Sequence, residues 1–126
     1  MDRPLNLQVG QEWSYLTRPH EHRSTLVIGR IDESSIGSVF HISVRGLRLA
    51  DSRGLGEGTK IDHVPISEQA LRDSLVAFQG FVEITGEFED GYLEWFASTN
   101  GRGQPFPISV AEVVAVAESV VNGPAA

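Results

Sequence analysis

Two histidines, His20 and His22, sit with Arg18, Glu21 and Arg23 in the stretch TRPHEHRS. On a strand, that spacing puts both imidazoles on one face, where two nitrogens and a third ligand hold zinc or copper. Pro19 places the stretch in a connection between strands, so nothing local enforces such a geometry. No second pair of ligands stands at a diagnostic spacing, and the chain has no cysteine. Disulfides, thiolate metal sites and cysteine nucleophiles are thereby excluded. TRPHEHRS reads as a polar strand connection, and neither a metal nor a cofactor is expected.

His41 precedes Ser43 by two residues on one face of a strand-like run. Alternate Cα atoms on a strand lie roughly 6–7 Å apart, too far for a good Ser–His hydrogen bond, and no G-x-S-x-G elbow exposes a nucleophile. An outward-facing, solvent- or partner-contacting His41 is the expectation. His63, just ahead of Val64-Pro65 and a helix start, reads as a capping or packing residue. No catalytic residue is assigned. Glu83, Glu87, Glu89, Asp90 and Glu94 crowd one stretch; paired glycosidase carboxylates instead flank a cleft at a fixed separation. These acids read as a solvated face, with Glu87, Glu89, Asp90 and Glu94 as candidate partner-binding residues. GLGEG (54–58) lacks the Lys-Ser/Thr ending of a phosphate-binding loop. If the first strands curl, Arg18, Arg23 and Arg45 would gather at one mouth with Tyr15 and His41. That mouth would suit an anion or a peptide. Tyr15, Arg18, Arg45, His41 and His63 are the ligand-pocket candidates.

Charge narrows the partners. The chain of 126 residues carries a net −7, placed unevenly: residues 1–60 sum to +1 and residues 61–126 to −8. An acidic second half repels phosphate backbones, so nucleic acid is not an expected partner. A basic protein is the partner such a surface would steer. The apolar-rich run from Ile108 to Val121 is too short to span a bilayer, and the N-terminus lacks a signal-peptide h-region. A cytoplasmic protein without membrane partners is expected.

These residues must be positioned by recognisable elements. QEWSYLT (11–17), TLVIGRI (25–31) and VFHISVRGLRL (39–49) alternate or are β-rich and read as three strands of an antiparallel meander. Asp32 to Gly37 reads as their turn, and Gly46 as a bulge or bend. Ala50 to Gly58 reads as a loop, and Lys60 to Ile66 as a short extended segment. Ser67 reads as an N-cap, and the i, i+4, i+7 spacing of Leu71, Leu75 and Phe78 predicts a helix from Ser67 to about Phe78. Residues 81–99 fit either a hairpin across Asp90-Gly91 or a helix with the stripe Phe88, Tyr92, Trp95 and Phe96. Pro105 to Ile108 reads as a short edge strand. Ser109 and Glu112 form a capping box for a valine-rich helix, stopped by Asn122-Gly123-Pro124.

The stretches GQEWSYLTRP, VFHISVRGLRL, HVPISEQALRDSL, FEDGYLEWF and ISVAEVV resemble, in that order, a group of small bacterial proteins over roughly residues 10–122. That resemblance implies a helix from Phe88 to about Ser98. It implies no activity, and group members often lack histidine at positions 20 and 22. One α+β domain is expected over residues 1–126, with flexible tails at 1–9 and 123–126. An antiparallel sheet of three to five strands from the N-terminal half packs a face against two or three C-terminal helices. Trp13, Tyr15, Phe40, Ile42, Val44, Leu71, Leu75, Phe78, Val113, Val114 and Ala117 should form the core. The expected function is a non-catalytic binding or inhibitory module acting through its acidic surface on a protein partner, with toxin neutralisation as one concrete form. A small-ligand or metal-dependent activity at the Arg/His-bearing strand ends is the alternative.

Overall fold

The computed structural model describes residues 6–35, 37–49 and 58–121. Five strands, β1 (Gln11–Tyr15), β2 (Thr25–Ser34), β3 (Gly37–Leu49), β4 (Gly58–Ser67) and β5 (Leu75–Phe81), are joined by three helices. These are α1 (Glu68–Ser74), α2 (Gly86–Thr99) and α3 (Val110–Val121). The strands form one sheet in the order β4-β3-β2-β1-β5, every pairing antiparallel. It is an α+β fold built on the expected meander, with β5 added at the free edge of β1. Among the described residues no helix is long and apolar enough to cross a membrane.

Strand alternation gives the sheet two faces. Trp13, Tyr15, Leu26, Ile28, Phe40, Ile42 and Val44 turn to one side and build the core with Leu71, Val110, Val113 and Val114 of α1 and α3. Phe78 is only partly buried against this core, and Ala117 is likewise half-buried. Ser67 caps α1 by accepting from the Ala70 amide at 3.2 Å. The Ser109–Glu112 box forms as read, at 3.2 and 3.1 Å. α2 packs on the opposite face, so both sides of the meander are covered. Thr85 caps it, accepting from the Phe88 amide at 3.1 Å, and Asn100 ends it in the left-handed region.

Three expectations are corrected. The helix does not reach Phe78: it stops at Ser74, and Leu75–Phe81 is a strand on β1. The register explains the misreading. Tyr15 pairs with Leu75 but Ser14 with Ala77, and Trp13 with Phe78 but Glu12 with Gly80. Each step leaves an unpaired residue, Val76 and Gln79. Two bulges therefore bring Leu75, Phe78 and Phe81 to one face at intervals of three, a spacing that imitates a helix. Phe78 meets Trp13 with ring centroids 5.6 Å apart and Phe81 at 5.5 Å.

Asp32 and Glu33 lie in β2, paired with Val39 and Ser38, and not in the turn; the reversal is confined between Ser34 and Gly37. Residues 105–108 contribute a single parallel bridge, Phe106 to Ile66, and no strand. The loop around GLGEG, the stop at Asn122-Gly123-Pro124 and most of the expected tails lie outside the described residues.

Candidate functional site

The site forms where α2 crosses the second face of the sheet. Two glycines allow that crossing. At Gly29, in a β2 bulge, an added Cβ would lie 2.3 Å from the Phe88 ring; at Gly91 it would lie 2.9 Å from Cβ of His63. Phe88, Tyr92 and Trp95, each about one turn from the next on α2, descend onto the strands. Beneath them His41 of β3 and His63 of β4, a diagonal pair across the ladder, stack with centroids 5.1 Å apart. Their facing nitrogens, Nδ1 of His41 and Nε2 of His63, are 2.8 Å apart.

His41 is fully buried, with Tyr92 and Trp95 set edge-on at 4.9 and 4.8 Å. The sequence reading had it facing outward from the core, which is its side of the sheet, but that side is roofed by α2. Its Nε2 has Oδ2 of Asp32 at 3.1 Å, yet off the hydrogen-bond axis, so this buried nitrogen has no aligned partner. The carboxylate fixes the tautomer. A bare lone pair facing an anion is repelled, so the proton sits on Nε2 of His41, and His63 donates its own Nε2–H to His41 Nδ1. Burial lowers the pKa of His41 against the pull of Asp32. Burial and the neighbouring His41 push His63 down to about 4. Both rings are neutral at pH 7.

Asp32 is the hub. Arg30 Nε donates to Oδ1 at 2.8 Å and the Tyr92 hydroxyl to Oδ2 at 3.1 Å. Burial raises its carboxyl, but these two donors and the nearby charges outweigh that and hold it below the ordinary value. The Arg30 guanidinium in turn lies 4.5 Å above the Tyr92 ring, a cation–π contact. Tyr92 is raised by burial and by the Asp32 carboxylate.

This cluster forms the floor of an open cleft of about 520 Å³, lined by Arg30, Asp32, Glu33, Ser34, Ser35, Val39 and His41 on the sheet side. Tyr92, Trp95, Phe96 and the 101–104 loop complete it. The volume falls within the range of small-molecule clefts. A second hollow of about 380 Å³, lined by Val9, Gly29, Ile84, Phe88 and Leu93, lies on the other side of the Arg30–Tyr92 stack.

The residues singled out from sequence are dispersed. His41 and His63 come together; Tyr15, Arg18 and Arg45 do not join them. Tyr15 is buried on the core face, bonded to Ser24 at 2.7 Å, and burial raises its pKa. Arg18 grips both carboxylate oxygens of buried Glu21 at 2.8 and 2.9 Å and reaches Glu118 of α3 at 3.0 Å. Arg45 lines a separate small hollow with Lys60 and Asp62. His20 and His22 are exposed. Among the described residues no three His, Asp or Glu side chains converge to hold a metal ion. Glu87, Glu89, Asp90 and Glu94 are exposed on α2, Glu87 pairing with Lys60 at 3.1 Å.

Asp32, Arg30, Tyr92, Trp95 and Arg102 belong to the site but were not named from sequence. The Tyr92/Trp95 stripe was visible as an apolar helix face, and only the topology places it over His41. No family model, no curated protein and no solved structure matches the chain.

Proposed function

We propose that this domain binds a small molecule in the cleft between α2 and the β2–β3 hairpin, without transforming it. The observation that carries the reading is His41 Nε2: a fully buried donor without an aligned partner at the floor of an aromatic-walled cleft. A buried donor whose nearest acceptor, the Asp32 carboxylate, lies off its axis at 3.1 Å keeps part of its hydrogen-bonding capacity unused, and a ligand oxygen entering the cleft would take it up. A catalytic role is disfavoured because Asp32 is committed to Arg30 and Tyr92. Trp13 is buried in the core while Trp95 walls the cleft, so the two tryptophans separate the signals. A thermal-shift screen of metabolite-sized compounds should yield binders that quench wild-type fluorescence but not that of Trp95→Phe. Binders that quench both alike would sink the reading.

A second reading, docking of a basic protein on the acidic face, is favoured by Leu93. It stands 61 % exposed on α2 among Glu89, Asp90 and Glu94, which make no ion pair among the described residues. Charge reversal at those three acids should abolish salt-sensitive retention of a basic partner from native lysate. Retention that persists in the variant removes this reading.

A further inference from the structure

Arg30 and Asp32 alternate along β2 opposite His41 and Val39, so both side chains turn under α2 and line the cleft. Glu33, the next residue, turns to the other face of the sheet, where the Ser38 hydroxyl meets its carboxylate. Arg30 Nε closes on Asp32 Oδ1 at 2.8 Å, yet the two side chains stay 53 % and 30 % exposed, so the pair is open to the cleft. Tyr92 holds it still: its hydroxyl donates to Oδ2, and the guanidinium stacks on its ring. Neither partner is saturated. Asp32 takes one of the guanidinium's N–H donors and the Tyr92 oxygen shares at most another, so the rest are free for a ligand. Oδ1 accepts from Nε alone among the described residues, and an ionised carboxylate oxygen has room for a second donor. The floor therefore presents donors beside an acceptor, with the two charges cancelled. The wall next to it is flat and fixed. A Cβ at Gly103 would lie 2.6 Å from Nε1 of Trp95, and one at Gly101 would lie 2.7 Å from the Phe96 ring.

Resting on the reading of the cleft as a ligand site, we infer that its ligand is an uncharged planar heterocycle of the lactam type, with a C=O and an N–H side by side on one edge. The carbonyl accepts from the free amino edge of Arg30, the N–H donates to Asp32 Oδ1, and the ring lies against Trp95 and Phe96. A carboxylate head would gain Arg30 but stand beside Asp32, and an ammonium would gain Asp32 but stand beside Arg30. An adjacent donor and acceptor satisfy both without that repulsion, and each bond has one charged partner, which strengthens it. A further cation, Arg102, stands on the exposed rim loop, so an anion is the competing class.

Three bicyclic probes of like size test this: 2-quinolone, N-methyl-2-quinolone and 2-naphthoate, titrated by NMR chemical shift into the wild type and Asp32→Ala. The N-methyl group removes the donor and keeps the carbonyl and the ring, while naphthoate replaces the edge by an anion. Far-UV circular dichroism checks that the variant folds, and the comparison of probes in the wild type stands without it. The expected result is 2-quinolone binding the wild type at least about tenfold more tightly than either other probe. Its advantage over the N-methyl compound should vanish in Asp32→Ala. If the N-methyl compound binds the wild type as well as its parent, if naphthoate binds more tightly, or if folded Asp32→Ala keeps the preference, the lactam edge is wrong while the cleft stands. If none of the three probes shifts the cleft resonances at millimolar concentration, the ligand class falls, and the compound screen with Trp95→Phe decides the cleft separately.

Discussion

At the residue scale the notable pair is His41 and His63, held neutral under α2. An unfolded chain takes up a proton on histidine near the ordinary 6.5, whereas folded His63 resists until about 4. Between those values the unfolded state binds more protons, so stability falls as the pH drops through that window and levels off below it. His41, shifted in the same direction, adds to the loss. His63 is half-buried, so its share after solvent screening is on the order of 2 kcal/mol. His63→Gln keeps a donor for His41 Nδ1 and removes the titration. Urea denaturation at pH 7 and pH 4.5 should therefore show a smaller acid loss in the variant. Parallel losses would mean that His63 is already charged in the fold. Sequence named both histidines but not their pairing, because residues 22 apart meet only through the β3–β4 register. It hid Asp32 for another reason: Asp-Glu-Ser-Ser has turn composition, and the partner strand overrides it.

At the element scale, α2 is positioned by what its glycines lack. Gly91 costs an isolated helix about 1 kcal/mol relative to alanine. The structure returns a reason: a Cβ there would meet Cβ of His63 at 2.9 Å, an atom next to backbone that cannot swing away. Gly91→Ala should thus destabilise by about 1–2 kcal/mol despite its better propensity, because overpacking exceeds the helix gain. Gly86, at the start of the same helix, has open space at that position. Gly86→Ala is expected to be neutral or stabilising by a few tenths of a kcal/mol. Thermal melts of the two variants check the contrast, and a stabilised Gly91→Ala would refute the close approach. The meander, the capped α3 and the stripe of α2 were legible because their periods matched their structures. β5 was not, because two bulges gave a strand a helix-like spacing.

At the scale of the whole molecule, the first connection and the last helix are tied by Arg18. Its guanidinium serves Glu21, whose side chain is fully buried, and Glu118 of α3, which is a quarter exposed. The Glu21 contact foremost raises the arginine's pKa. TRPHEHRS is therefore a structural clasp, with its histidines outside and its glutamate inside. Removing the cation takes two charge-assisted hydrogen bonds from a buried carboxylate, so Arg18→Met should cost about 3 kcal/mol. Glu118→Gln, at the solvent-facing end of the same network, should cost under about 1 kcal/mol. The double variant Arg18→Met/Glu21→Gln should lose less than Arg18→Met alone, since the buried charge is then removed together with the guanidinium that answers it. Equilibrium urea unfolding of the three variants orders these outcomes. Equal losses for Arg18→Met and the double variant would show that the arginine acts by packing, and not by answering the buried charge.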